Sequence, residues 1–192
     1  MRILCLGDSN TWGYDSRSLF GDRYPSNIRW TGILNRSDHT VINLGMNGMC
    51  VPAAAQLDWI TGVIKKELPV DRVIVMLGTN NLLRNDSAQQ TGSDLLHLLE
   101  TLKTMVPAER ILLIAPVTLQ KGTWVEGESM IRASEQFSEV CRAVSETAGT
   151  AFLDASKWQI PLLYDGVHFT EEGHAKFAEQ VLRKLNESEG AR

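Results

Sequence analysis

The sequence predicts an α/β protein in which a parallel β-sheet is covered by helices. Two observations point to this class. Short apolar runs alternate with longer segments of helical periodicity, and polar residues with glycines follow the first three runs. The chain has 192 residues, which suits one domain and is short for two, so we expect a single domain over residues 1–192.

Five apolar runs are predicted to be the strands of this sheet. Each is short and mainly aliphatic, as is typical of strands that are buried on both faces. In chain order they are residues 3–6, 41–44, 70–77, 111–115 and 151–153. The prediction is therefore a five-stranded parallel sheet.

Amphipathic helices are predicted between the strands and at the end of the chain, because apolar residues recur there every three or four positions. We expect these stripes to face the core, and Ser93 to cap the second helix. The four stripes are Leu57, Ile60, Ile64 and Leu68; Leu95, Leu99, Leu102 and Met105; Met130, Phe137, Val140, Cys141 and Val144; and Phe177, Val181, Leu182 and Leu185.

Two stretches without periodicity, residues 12–29 and 116–128, are long for loops of a compact fold. Loops of this length are usually functional or disordered. Aromatic residues in or beside them favour ordered walls over disorder, although a purely structural role stays open. These residues are Trp12, Tyr14, Tyr24, Trp30 and Trp124.

The composition argues against several classes of function. The net charge is -4, without a basic block, so no nucleic-acid partner is expected. No apolar run has the roughly twenty residues that a membrane span requires, and the N-terminus lacks a signal-peptide pattern. We therefore expect no membrane span, a cytoplasmic location and a small-molecule partner. The aromatic-rich stretch 12–29 could also form a contact between subunits, so a homo-oligomer stays open.

The three cysteines, Cys5, Cys50 and Cys141, lie far apart in the chain and are odd in number. This pattern predicts buried reduced thiols, because both a disulfide framework and a zinc site require paired spacings. His174, close to His168, could suggest a metal site. We expect none, because Glu171 and Glu172 with His174 read more simply as the polar first turn of the last helix.

The polar residues that follow the strands predict a site, since ligands of parallel α/β sheets bind outside the carboxyl ends of the strands. The first run is followed by GDSN (residues 7–10), the second by GMNG (45–48) and the third by GTNN (78–81). DGVH (165–168) precedes the last helix. Each segment alone is a weak signal, and the four together indicate chemistry.

The combination is that of nucleophilic catalysis. Ser9 needs a base to remove its proton, His168 can be that base, and Asp165 can orient the ring. A tetrahedral oxyanion also needs hydrogen-bond donors. We expect the backbone N–H groups of Gly45 and Ser9, together with the side-chain amide of Asn80, to supply them.

Other ligand-binding motifs do not occur in the chain. It contains no G-x-S-x-G elbow, no phosphate-binding P-loop and no G-x-G-x-x-G fingerprint. A non-catalytic alternative is a flavodoxin-like binding module that holds phosphate on residues 8–13. This alternative gives no role to Asp165 and His168.

The four blocks make the chain resemble the SGNH hydrolase family, also called the GDSL lipases and esterases. The residues of the family's name stand here in order as Ser9, Gly45, Asn80 and His168. The stretches RILCLGDSNTWGY, RWTGIL (29–34) and VIVMLGTNN (73–81) are similar to its arylesterase and acyltransferase branch. The resemblance implies a flavodoxin-like three-layer α/β/α fold, Ser9 as nucleophile in a triad with Asp165 and His168, and Gly45 and Asn80 in the oxyanion hole.

Two positions depart from the family's pattern. Asn10 stands where the family's shorthand has Leu, and we expect this change to be harmless. Asn81 stands where Asp is usual; the amide keeps the hydrogen-bonding shape and lacks the charge, so we expect weaker support of the nucleophile loop.

The expected function is serine-dependent hydrolysis of small carboxylic esters, with short acyl groups such as acetyl, through an acyl-enzyme and without metal or cofactor. The same triad leaves carbohydrate O-deacetylation, thioester or lysophospholipid cleavage, and acyl transfer open, because fold and triad do not determine the substrate.

Overall fold

Strands alternate with helices along the whole chain in the computed structural model, which describes residues 1–18 and 20–190. The strands are β1 (Arg2–Gly7), β2 (Thr40–Gly45), β3 (Arg72–Met76), β4 (Ile111–Ala115) and β5 (Ala151–Asp154). They form one sheet of five strands in the order β2-β1-β3-β4-β5, with every neighbouring pair parallel. This order is the flavodoxin-like one, so the predicted fold class is confirmed.

Helices of very different length connect the strands. They are α1 (Ser9–Trp12), α2 (Trp30–Arg36), α3 (Leu57–Lys65), α4 (Thr79–Leu83), α5 (Ala88–Lys103), α6 (Glu128–Ala148) and α7 (Glu171–Gly190), with short 3₁₀ turns at Ala54–Gln56 and Ala108–Arg110. The short helices α1 and α4 follow β1 and β3 almost directly. They therefore start at the carboxyl edge of the sheet, where the sequence places the site.

Each face of the sheet has its own core. Successive side chains of a strand point to opposite faces, so Leu4 and Leu6 of β1 lie in one core and Ile3 and Cys5 in the other. The first core is covered by α3, α5 and α6, and the second by α2 and α7. The result is the predicted three-layer arrangement.

The predicted cap of the second long helix is wrong. Helix α5 begins at Ala88, and the hydroxyl of Ser87 accepts a hydrogen bond from the N–H of Gln90 at 3.1 Å. Ser93 is an exposed residue within the helix. The helix extends beyond its apolar stripe because its first turns also pack inward, through small or polar residues that give no apolar signal.

Two other expectations are met only in part. Cys5 and Cys141 are buried free thiols as predicted, whereas Cys50 is half-buried. Trp30 is not part of a wall around the site; it is fully buried beneath α7, with its ring 5.2 Å from that of Phe177.

In the ranges that the structure describes, none of the helices has both the length and the apolar character to cross a membrane.

His174 in the first turn of α7 is completely buried, although we expected it on a polar surface. Its ring lies between those of Tyr24 and Phe169, at 5.2 and 5.3 Å between centroids. The N–H of Trp30 donates to its Nδ1 at 3.4 Å. Burial, reinforced by the positive charge of Arg29, lowers the pKa of His174 to about 3. The ring is therefore neutral in the folded protein.

His174→Phe should make the protein less sensitive to acid. Below about pH 6.5 the unfolded chain binds a proton at this histidine that the folded chain does not, so each pH unit down to about 3 costs the wild type about 1.4 kcal/mol of unfolding free energy. Urea unfolding at about pH 6.5 and about pH 5 should show the wild type losing about 2 kcal/mol more than the variant. Equal losses in both proteins would contradict the buried neutral ring.

Candidate active site

Ser9 lies at the turn from β1 into α1. Strand β1 ends at Gly7, Asp8 is the N-cap, and Ser9 is the first helical residue. The Asp8 carboxylate accepts from the N–H of Asn10 at 3.0 Å, which stabilises the turn. A side chain at Gly7 would overlap with that of Thr11, so glycine allows α1 to fold back tightly on the strand. The turn holds the Ser9 hydroxyl at the carboxyl edge of the sheet.

The structure brings the predicted serine, histidine and aspartate together. The hydroxyl Oγ of Ser9 lies 2.9 Å from Nε2 of His168, and Nδ1 of His168 lies 2.8 Å from Oδ2 of Asp165. The other carboxylate oxygen accepts from the backbone N–H groups of Val167 and His168 at 2.8 and 2.9 Å. Asp165 thus orients the imidazole ring and also closes the loop that carries it.

Asp165 is charged in spite of its burial. Burial raises the pKa of its carboxyl group, but the hydrogen bonds from the His168 ring and from the two backbone N–H groups outweigh this effect. The net result is a pKa of about 2. The carboxylate is therefore ionised at neutral pH and can stabilise a positive charge on the ring beside it.

A second buried carboxyl group adjoins Ser9. Burial raises the pKa of Asp8 to about 6, although the hydrogen bond from the Asn10 N–H and the electrostatic interaction with His168 act in the opposite direction. The motif GDSN contains this acid, but its charge state depends on burial, which the motif does not reveal. Asp8 is the residue of the turn whose protonation changes closest to neutral pH.

Two aromatic side chains flank the imidazole ring. The ring centroids of Tyr14 and Trp124 lie 4.8 and 5.0 Å from that of His168. Trp124 is 49% exposed, so one part of it contacts the histidine and the rest faces solvent. The predicted aromatic wall is confirmed for these two residues. Tyr24 is buried instead, with its hydroxyl 3.4 Å from the carbonyl oxygen of Phe169.

The loop between β4 and α6 is attached to the loop that carries Asp165. Backbone N–H groups of Gln120, Thr123 and Trp124 donate to carbonyl oxygens of residues 164–166 at 3.0 to 3.1 Å. Gly166 has a positive φ of 79°, and a side chain there would overlap with the Gln120 carbonyl oxygen. Trp124 is therefore held beside His168 by main-chain hydrogen bonds.

Asn80 and Ser9 carry hydrogen-bond donors at the carboxyl edge of the sheet. Asn80 is the second residue of α4, and its Nδ2 donates one hydrogen to the carbonyl oxygen of Met49 at 3.1 Å. An amide group has two N–H bonds, so a second donor is left. The backbone N–H of Ser9 donates to no group in the described ranges.

The prediction for Gly45 needs a correction. Its N–H donates to Oδ1 of Asn43 at 2.8 Å, so it is not free to bind an oxyanion. Asn43 is itself fixed, because its Nδ2 donates to the Thr11 carbonyl and the Thr31 hydroxyl at 2.7 and 2.8 Å. The side chain of Asn43 therefore accepts a hydrogen bond from the Gly45 N–H, which the sequence pattern predicts to be an oxyanion donor.

Gly48, three residues further along the same loop, is a residue that the sequence reasoning missed. It is exposed, has a positive φ of 71°, and its N–H donates to no described group. The segment GMNG contains both glycines. Only the side-chain contact of Asn43 distinguishes the engaged donor from the free one.

Asn81 makes two hydrogen bonds in place of the charge that it lacks. Its Oδ1 accepts from the N–H of Val51 at 2.9 Å, and its Nδ2 donates to the Asp86 carboxylate at 3.0 Å. The side chain is buried. An amide suits this position because it faces a donor and an acid at once, and its two bonds join it to the loop after β2 and to Asp86 rather than to the turn of Ser9.

Among the described residues near Ser9, Asp165 and His168, the side chains do not form a metal site. Across the residues that the structure describes, no three His, Cys, Asp or Glu side chains converge as metal ligands would. His174 uses Nδ1 to accept from the Trp30 N–H and does not join His168 in a cluster.

Fold and site together place the chain in the class of carboxylic ester hydrolases. It belongs to the GDSL-like lipase/acylhydrolase family, which matches residues 5–176. The resemblance noted from the sequence blocks is thereby confirmed.

Solved structures of similar proteins cover almost the whole chain. An aryl esterase of M. smegmatis is 25% identical with a TM-score of 0.77, over 95% of this chain and 98% of that one. Est24, a carbohydrate acetylesterase from Sinorhizobium meliloti, is 24% identical with a TM-score of 0.83, over 96% and 98%. No curated protein sequence matches this chain significantly.

Asn81→Asp should destabilise the protein, because it sets a buried carboxylate against Asp86 where a hydrogen bond now lies. We expect a loss of about 1–2 kcal/mol in unfolding free energy at neutral pH, measured by urea unfolding. The double variant with Asp86→Asn restores a donor and an acceptor in reversed order and should recover most of the loss. A double variant no more stable than the single one would contradict the pairing.

Proposed function

We propose that the protein hydrolyses small carboxylic esters with Ser9 as nucleophile, His168 as general base and Asp165 as the group that orients it. The observation that carries this proposal is the continuous chain of hydrogen bonds from Ser9 Oγ through His168 to Asp165, at 2.9 and 2.8 Å. Both distances are within the range that proton transfer and ring orientation require.

The first half of the reaction forms an acyl-enzyme. Ser9 Oγ attacks the ester carbonyl carbon while Nε2 of His168 takes its proton. The imidazolium that forms is stabilised by the ionised carboxylate of Asp165. When the tetrahedral intermediate collapses, the same Nε2 gives its proton to the leaving alcohol, and the acyl group stays on Ser9.

The negative charge of the tetrahedral intermediate needs donors that are already in place. We assign the Ser9 N–H and the second N–H of the Asn80 amide to this role. The N–H of Gly48 is the third donor, in place of that of Gly45. These three groups follow β1, β3 and β2, so donors approach the oxyanion from three neighbouring strands.

In the second half of the reaction, water attacks the carbonyl carbon of the acyl-enzyme while His168 again acts as the base. The bond to Ser9 then breaks, and the carboxylic acid leaves.

The space around Ser9 is restricted. Ser9 is only 6% exposed, and the rings of Tyr14 and Trp124 take up space beside His168. This crowding favours short acyl groups such as acetyl. The names of the similar aryl esterase and carbohydrate acetylesterase are consistent with small acyl esters.

Large exposed side chains lie on the loops beside His168 and after β2. Trp124 and Tyr164 are partly exposed, and both belong to the two loops joined beside the triad. Met46 is also exposed, on the loop that follows β2. Such surfaces suit an aromatic alcohol or the apolar face of a sugar ring as the leaving group.

Ser9→Ala should abolish ester hydrolysis, because it removes the atom that forms the acyl-enzyme. The test compares the purified wild type and variant on p-nitrophenyl esters from acetate to longer chains, with both proteins at equal concentration. The wild type should be most active on the shortest esters. Equal activity of the two proteins would refute Ser9 as the nucleophile.

Asn80→Ala should lower kcat about a hundredfold or more while KM changes little, because an oxyanion donor acts mainly in the transition state. The variant also loses the bond to the Met49 carbonyl, so its thermal unfolding must be measured beside the kinetics. An unchanged kcat in a folded variant would remove Asn80 from the oxyanion site.

A further inference from the structure

The side chain of Asn10 bridges the turn of the nucleophile and the loop of the histidine. Its Nδ2 donates to the carbonyl oxygen of Val167 at 3.0 Å, and its Oδ1 accepts from the N–H of Phe169 at 3.0 Å. These two backbone groups lie on either side of His168. One planar amide thus pairs with the main chain as a neighbouring strand would.

The amide satisfies groups that have no access to water. Asn10, Val167 and Phe169 are all buried, at 5%, 4% and 1% exposure. A buried backbone N–H or carbonyl without a partner is costly. Because one group is a donor and the other an acceptor, a carboxamide matches both, whereas leucine matches neither.

Asn10 is itself held firmly in place. Its backbone N–H donates to the Asp8 carboxylate at 3.0 Å, and its carbonyl oxygen accepts from Nε1 of Trp30 at 3.1 Å. Trp30 is fully buried in the core beneath α7. The side-chain amide therefore projects from a rigid support toward the histidine loop.

We propose that Asn10 is a positioning residue that fixes the main chain on both sides of His168, so that Nε2 stays in line with the hydroxyl of Ser9. Ser9 and Asn10 are adjacent, so the nucleophile and its neighbour contact the same histidine segment, one through the ring and one through the backbone. The proposal rests on the function proposed above for Ser9 and His168. It also explains why this chain uses an amide where the family's shorthand has leucine.

Asn10→Leu tests the contact and its effect separately. Amide hydrogen exchange at Phe169 needs no substrate, and it should become about tenfold faster or more, while amides in β3 keep their protection. On p-nitrophenyl acetate, kcat should fall by about tenfold to a hundredfold with KM within about twofold, since a small misplacement of the base impairs the chemical step. Unchanged exchange at Phe169, or an unchanged kcat, would overturn the proposal.

Ser145→Ala is the matched control for general destabilisation. Ser145 is buried and donates to the Thr150 carbonyl at 3.0 Å, at the amino end of β5 and thus at the opposite edge of the sheet. It should lose stability and keep the wild-type kcat. If both variants lose kcat in proportion to stability, Asn10 has no specific positioning role.

Asn10→Asp decides the question if the leucine variant does not fold. The new carboxylate keeps an acceptor for Phe169 and lacks a donor for Val167 until it is protonated. The variant should therefore keep the protection of the Phe169 amide and lose kcat about tenfold or more at neutral pH, with KM within about twofold. A wild-type kcat would refute the need for a donor at this position.

If Ser9→Ala shows that Ser9 is not the nucleophile, the proposed function fails as a whole. The exchange of the Phe169 amide would still report whether Asn10 holds the histidine loop. The two failures are thus distinguishable.

Discussion

The pairing of β1 with β2 on one side and β3 on the other determines where the chemistry can lie. Gly7, the last residue of β1, is in register with Gly45 of β2 and with Met76 of β3. Three strands therefore end in one row, and the segments that follow them leave the sheet side by side. The turn of Ser9, the loop that contains Gly45 and Gly48, and α4 lie side by side because parallel strands in register must release their chains at the same edge.

Two buried acids at this edge show how local hydrogen bonding decides charge. Asp165 and Asp8 both lose water on folding, which alone raises the pKa of a carboxyl group. Asp165 accepts from the His168 ring and from two backbone N–H groups, and its pKa falls to about 2. Asp8 accepts less, and its pKa rises to about 6. Because of this difference, Asp165, which faces the imidazole ring, is the acid that stays ionised at neutral pH.

The strands and the main site residues could be predicted because apolar runs and short polar segments are visible in the sequence. Apolar runs located the five strands, the polar residues after the first run located Ser9, and the DGVH segment before the last helix located Asp165 and His168. Features that depend on one side-chain contact were missed, because such contacts leave no periodic signal. Asn43 occupies the N–H of Gly45, and the cap of α5 is Ser87 because small residues of its first turns pack inward. Burial of His174 was missed for the same reason.

The attachment of the loop that carries Trp124 has an evolutionary consequence. Main-chain hydrogen bonds join this loop to residues 164–166, and the one at position 124 is made by the backbone N–H and not by the indole ring of Trp124. Substitution of Trp124 can therefore change the surface beside His168 while the loop keeps its main-chain attachment. The wall of the proposed site can diversify at this position without a change in the backbone that supports it.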